Sequence, residues 1–495
     1  MKNYKSLEQE IEEISQINNV ISILSWDIAV NMPVGSAESR ANEIALLSAI
    51  ANSRLKSTKI SELINLADTE AGQLSNWQIA NLREIRKKVE YARCVSDDLQ
   101  KRYIAATTRS ELVWREARKE NDFNKLKPYL QEVLICVREL AEAKASLLNC
   151  SKYDALVDEY DPSRNTEDLK QIFTVLKTSI PDLIKQIVEK QRTENVLLIG
   201  EVPIEQQRVI SRKIMNIMGF DFDGGRLDDS THPFCGGTAF DVRLTNRYSK
   251  DDFISGVMGI IHETGHALYE QNLPTGYKNQ PVGRANGMAI HESQSLFMEM
   301  QVGRSKEFCE FLSKLLKDEF GFKGQEYSAD NLYKLNTRVK PSFIRVDADE
   351  VTYPMHVMLR FEIEELLINN ELTLDDIPDL WNKKMQEYLG IVPNKNSEGC
   401  LQDIHWPSGW FGYFPAYTCG AIIASMLTRA ARESEVDIEQ DITHGNFNSI
   451  NEFLNSRIQG YGSLKTVDDL IKDATGENKV NPEIFLMYLK QKYLN

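Results

Sequence analysis

The sequence predicts a mainly α-helical fold with a small β-sheet near its middle, and three observations carry that expectation. Apolar residues recur every three or four positions through long stretches of the N-terminal half, the period of a helix with one buried face. Only one segment, TAFDVRLTNRYS, clearly alternates apolar with polar side chains, as a strand does. No low-complexity linker, fixed-period repeat or Pro/Ser-rich hinge divides the 495 residues. One continuous unit is therefore expected, helical over roughly 1–210, a central core over 211–430 and helical again over 431–495.

From the N-terminus, Leu7, Ile11, Ile14, Ile17, Ile21 and Leu24 define a first helix, and similar patterns run through 38–52, 76–95, 96–119 and 126–148. The segment NTEDLKQIFTVLKTSIPDLIKQIVEKQRT reads as another, capped by Asn165 or Thr166 and disturbed at Pro181, whose ring removes a backbone donor. In the strand, Phe240, Val242 and Leu244 alternate with Asp241, Arg243 and Thr245. Next, ISGVMGIIHETGHALYEQ is a helix buried through Phe253, Val257, Met258, Ile260 and Ile261, with Ser249 or Asp251 as its cap. The loop LPTGYKNQPVGRANG is irregular, and GMAIHESQSLFMEMQVG returns to helix.

Composition excludes more than it identifies. At 42% hydrophobic and 26% charged residues, the chain is ordinary for a soluble globular protein. A net charge of −15 argues against nucleic acid or an anionic membrane as the main partner. The N-terminus lacks the apolar core of a signal peptide, and no apolar run reaches the roughly 18–20 residues of a membrane span. The seven cysteines are scattered and never in C-x-x-C spacing, which suits reduced thiols and a cytoplasmic location.

Chemistry concentrates around HETGH. His262 and His266 are one helical turn apart, so both rings can address a single ion. Glu263 is rotated by about 100°, where it can reach water at that ion as a general base. Glu292, 26 residues past His266, stands where a third ligand would in a two-helix site. A His₂Glu set leaves a fourth position for water, as catalytic zinc sites do. Co²⁺ or Mn²⁺ would also suit these donors. Glu299 returns to the face of Glu292 and can bond the free nitrogen of a ligand histidine, or make an exposed salt bridge. His291 is expected to point elsewhere and act structurally.

With these motifs the sequence resembles the thermostable carboxypeptidase (carboxypeptidase Taq) family of zinc metallocarboxypeptidases, over nearly its full length. The resemblance rests on SWDIAVNMP, YDALVDEYDP, HPF at 232–234, DVRLT at 241–245, HETGH, HESQ at 291–294, IRVDAD at 344–349, GCLQDIHW at 399–406 with GWFGYFPAYTCG, and DATGENKVNPEIFLMYLKQKY. Phe453, where a tryptophan is expected, and Asn286, where a serine is common, are small departures. The resemblance implies a two-lobed helical zincin-type fold with a deep groove beside the sheet and a homodimer. It also implies removal of single residues from peptides with a free C-terminus, with broad side-chain tolerance.

Roles follow for further residues. His405 and Tyr413, with Tyr417 one turn on, are candidates to stabilise a developing oxyanion. An exopeptidase must desolvate a terminal carboxylate, which the arginine fork answers best. Arg345 is the leading candidate, because the resemblance places IRVDAD in the groove; its rival role is an ion pair with Asp347 or Asp349. Arg243 would bind substrate if its strand were a sheet edge open to an extended peptide, or would tie the strand to a helix. His232 fixes a loop, and Met300 is a candidate pocket residue. A zinc endopeptidase or oligopeptidase would share the metal site. An aminopeptidase would need a Gly-x-Met-x-Asn stretch that FDVRLTNRYS does not supply. A non-catalytic helical binding protein would have lost Glu263 or a ligand, and all are present.

Overall fold

The computed structural model describes residues 1–434 and 437–495. Helices dominate, with one three-stranded sheet. Each predicted helix is present: Lys2–Val30, Ala37–Leu55, Asn76–Cys94, Asp97–Glu120, Phe123–Leu148 and Thr166–Gln191. Asn165 caps the last of these by accepting from the Asp168 amide, and Pro181 is accommodated without breaking it.

Of three hydrophobic clusters, two are extensive, the third being a small one around Val95, Leu99, Cys136 and Leu140. The smaller of the extensive two is built by the first helices, where Tyr4, Leu7, Ile11 and Ile14 meet Leu55, Ile60, Ile64, Leu82 and Ile85. The larger takes in the remaining helices and the sheet. The junction is polar and specific. Buried Asn81 donates to Gln280 Oε1 at 3.0 Å, and Gln280 donates to the Glu8 carbonyl at 2.8 Å. Leaving either group unpaired there would cost about 1–3 kcal/mol, so the first helices are seated in one position.

The sheet comprises β1 (Gly225–Asp229), β2 (Phe234–Thr238) and β3 (Asp241–Asn246) in the order β1-β3-β2, with β3 parallel to β1 and antiparallel to β2. Val242 and Leu244 enter the large core as the alternation predicts, but Phe240 lies in the turn before β3 and is exposed. Because β3 is paired on both sides, it is no edge, and no peptide can be added beside Arg243. Among the described residues no helix is long and apolar enough to cross a membrane, and all seven cysteines are free thiols.

Candidate active site

The HETGH helix spans Phe253–Asn272 and starts from Asp252, whose carboxylate accepts from the Ser255 amide at 3.2 Å. The expected caps are displaced because the chain turns helical only at Phe253; Ser249 Oγ instead accepts from the Asp251 amide. A second helix, Met288–Leu296, lies across it. Two glycines permit that closeness. A Cβ on Gly265 would stand 2.6 Å from the Gln294 carbonyl oxygen, and one on Gly420 would stand 2.8 Å from Glu292 Cβ. Glu292 is thus held between the HETGH helix and helix Pro415–Arg432.

One donor atom from each of His262, His266 and Glu292 converges to within 4.8 Å of the others. His266 Nε2 stands 3.3 Å from a Glu292 oxygen. Glu299, on a π-helical turn at Phe297–Gly303, accepts from His262 Nδ1 at 2.9 Å and is anchored by Arg304 Nη2 at 2.7 Å. The expected hydrogen bond between Glu299 and a histidine of HETGH is therefore formed, and it is partly buried. His291 does not point away. Its Nδ1 lies 2.7 Å from His266 Nδ1, and its Nε2 donates to Glu270 at 2.8 Å.

The electrostatics suit a cation. Burial would push His262 down, but Glu292, the bond to Glu299 and Glu263 outweigh it and raise its pKa to about 10. Burial lowers His266 to about 4, with His291 acting in the same direction. Burial lifts Glu263 to about 7; His262 opposes this, and Glu292 and Glu299 add to it. Against the upward push of burial, Arg304 and His262 hold Glu299 at about 2. Without an ion the surrounding carboxylates hold a proton on His262; a divalent ion would take that proton's place beside Glu292 and Glu299. The donor set and its charge fit such an ion.

Facing Glu292 is a wall of aromatic and charged groups. Glu292 adds to the upward pKa shifts of Tyr353, Tyr413 and Tyr417, whose main cause is burial. Buried Arg345 donates from Nε to Asp403 at 3.1 Å and from Nη1 to the Tyr353 hydroxyl at 2.9 Å, and lies 5.0 Å from the Tyr417 ring centre. The other Asp403 oxygen accepts from Arg360 Nε at 2.7 Å. His405 Nε2 shares a hydrogen bond with the Tyr417 hydroxyl at 3.2 Å. Burial and then Arg345 push His405 down to about 3, so it is neutral. The loop carrying His405 and Tyr413 hangs on buried Glu364, which accepts from Trp406 Nε1 at 2.8 Å and the Gly412 amide at 2.9 Å.

This arrangement has counterparts. The sequence pattern of the carboxypeptidase Taq (M32) metallopeptidase matches residues 6–493. The chain belongs to that family. It is 35% identical over 491 residues to carboxypeptidase 1 of Bacillus subtilis (strain 168), covering 98% of this chain and 97% of the relative. It is 33% identical over 500 residues to thermostable carboxypeptidase 1 of Pyrococcus furiosus, covering 99% and 98%. The solved structure of Trypanosoma cruzi metallocarboxypeptidase 1 superposes with a TM-score of 0.97 at 38% identity, over the whole of both chains. This M32 protein is accordingly a metallocarboxypeptidase, a peptide hydrolase.

Not every candidate of this M32 chain is drawn into the site. Arg243 turns its fork onto Asp241, with Nε 3.0 Å from a carboxylate oxygen, and stands 5.9 Å from the Trp26 ring centre. It ties β3 to the N-terminal helix. The His232 carbonyl accepts from Thr245 Oγ1 at 3.2 Å, holding the loop before β2. Met300 is buried, and its carbonyl accepts from Lys492 Nζ at 2.8 Å. Sequence reasoning missed Asp403, Arg360, Tyr353 and Glu270, and it misjudged His291. Asp403 and His291 lie inside the QDIHW and HESQ stretches, which was the one available signal.

Proposed function

We propose that the protein is a zinc-dependent carboxypeptidase that releases single amino acids from peptide C-termini with broad side-chain tolerance. The observation that carries this reading is the charge balance of the wall. Arg345 and Arg360 share a single carboxylate, Asp403, while burial keeps His405 and His356 neutral. While buried Glu364, its pKa raised to about 7, keeps its proton, two guanidiniums against one carboxylate leave one positive charge, the complement of one substrate carboxylate. Arg345 has five N–H donors, and those not given to Asp403 and Tyr353 remain for it. Recognition would rest on a group that every peptide end carries, which suits broad tolerance.

His262, His266 and Glu292 would hold the metal. A divalent ion there supplies Lewis acidity, lowering the pKa of water and polarising the scissile carbonyl. Glu263 takes the proton from the attacking water and delivers it to the departing amine. Neutral His405 and the protonated hydroxyls of Tyr413 and Tyr417 offer donors to the developing oxyanion. Arg345 fixes the terminal carboxylate, so the bond one residue in is presented. Assembly as a homodimer belongs to the same reading and is checked by sedimentation.

The test is a mass-spectrometric time course on an unstructured peptide of about ten residues, long enough to occupy a groove, as free acid and as C-terminal amide, with zinc-loaded protein. A ladder of single-residue losses from the free acid, slowed by the amide, is expected. Internal cuts indifferent to the amide would make the protein an endopeptidase and remove Arg345 from recognition.

A further inference from the structure

The two ligand histidines are supported differently. His262 Nδ1 reaches a carboxylate directly, Glu299 at 2.9 Å. His266 Nδ1 instead meets another imidazole, His291 Nδ1 at 2.7 Å, and the carboxylate comes one step later, with His291 Nε2 2.8 Å from Glu270 Oε1. At 2.7 Å, one of the two Nδ1 atoms must carry a hydrogen and the other a lone pair.

The assignment follows from the metal-facing end. His266 Nε2 is the atom 3.3 Å from Glu292 at the converging donors, and it can meet a cation only with a bare lone pair. The hydrogen of His266 then lies on Nδ1, and His291 Nδ1 accepts it. The hydrogen of His291 is left on Nε2, which donates to the Glu270 carboxylate. The opposite tautomer would put a hydrogen on Nε2, where it would exclude a cation. The rings are also fixed in orientation: His266 and His291 stand 4.5 Å apart at 32°, and Tyr269 lies 5.4 Å from His291. Glu270 has no other hydrogen-bond or ion-pair partner among the described residues.

We infer that His291 and Glu270 are positioning residues, a two-step relay that sets the tautomer and ring angle of His266 for metal binding. The inference rests on the zinc reading above. It separates the histidine of HESQ from those of HETGH by role: His266 binds, and His291 orients it. Partners of this kind are worth roughly 10–100-fold in metal affinity when removed.

The test is zinc affinity of the full chain, measured by competition with a chromophoric chelator, for wild type, His291→Phe, Glu270→Ala and the double variant. Phenylalanine keeps the ring's bulk and removes both nitrogens. The zinc dissociation constant should rise by about 10–100-fold in His291→Phe, and in the same direction for Glu270→Ala. The double variant should match His291→Phe within about twofold, because Glu270 acts only through His291. Thermal unfolding of the metal-free proteins separates binding from folding. A fall in Tm with zinc affinity within about twofold of wild type would reduce His291 to a packing residue and overturn the relay. Additive losses in the double variant would overturn the coupling. Should His291→Phe fail to fold, Glu270→Ala carries the test, since Glu270 is partly exposed. Wild type that releases terminal residues but binds zinc no more tightly than the variants overturns the relay alone. Wild type that binds no zinc overturns both readings.

Discussion

The metal centre and the wall facing it are assembled by different means. Every donor of the first, with its supports, comes from two adjacent helical segments between His262 and Arg304. The second draws on three separated stretches, around Arg345, Tyr353–Glu364 and Gln402–Tyr417, joined by the carboxylates of Asp403 and Glu364. In the metal centre, helical spacing does the positioning and the carboxylates tune charge. In the wall, the carboxylates do the positioning. Substitutions in the first should therefore impair chemistry and leave the fold, whereas in the second folding and recognition are entangled.

Glu263→Gln is the sharpest way to probe the first half. The amide cannot take a proton, so kcat should fall by about 10²–10⁴-fold with near-stoichiometric zinc retained by atomic absorption. The metal-free fold should not suffer, because Glu263 is an acid whose charge burial already disfavours. Retained turnover in metal-replete protein would remove Glu263 from the mechanism.

The wall should divide under two substitutions. Asp403→Asn strips the shared counter-charge from two buried guanidiniums, and breaking such a group typically costs about 3–5 kcal/mol, read as a large drop in Tm. Arg345→Ala leaves Asp403 paired with Arg360 and should be milder for the fold. Its expected signature is a rise of about 10–100-fold in KM for free-acid peptides, the worth of charge-assisted bonds, with amidated peptides little changed. Equal effects on acids and amides would return Arg345 to an ion-pair role.

What could be read from the sequence follows the same division. The metal helix, Glu292 and the bond from Glu299 were legible because each depends on spacing within a helix or between two consecutive ones. His291 was misjudged because one residue along a helix turns the side chain by about 100°. Helix Met288–Leu296 crosses the HETGH helix so closely that residue 292 meets the inner edge of His266 and residue 291 its outer edge. For Arg345 the nearby acids were the wrong partners. Asp349 is occupied by the Val351 and Thr352 amides, each at 3.0 Å, and the true partner lies at Asp403, set by tertiary packing that no local pattern encodes. The place of β3 in mid-sheet was hidden likewise, because strand order is not a local property.

Glu364 offers the smallest and most specific test. Burial raises its pKa from 4.5 to about 7, with the bonds from Gly412, Tyr153 and Trp406 pulling the other way. The folded state therefore holds a proton between about pH 4.5 and 7 that the unfolded state has released. Folding stability from this group is then largest below that window and declines as pH rises through it. Glu364→Gln removes the titration. It also turns an amide N–H₂ toward a fixed donor, Trp406 Nε1 or the Gly412 amide, whichever way the amide is flipped. The variant should be less stable throughout, but the gap in Tm between wild type and Glu364→Gln should narrow from about pH 5 to pH 7.5, since only wild type loses stability across it. Measured with chelator present, Glu263 and the histidines titrate alike in both proteins and cancel. A gap that stayed constant would mean Glu364 is ionised throughout, and a widening one would mean its charge favours the fold. Either would make the wall's loop an ion-stabilised element, and the wall would then resemble the metal centre in kind.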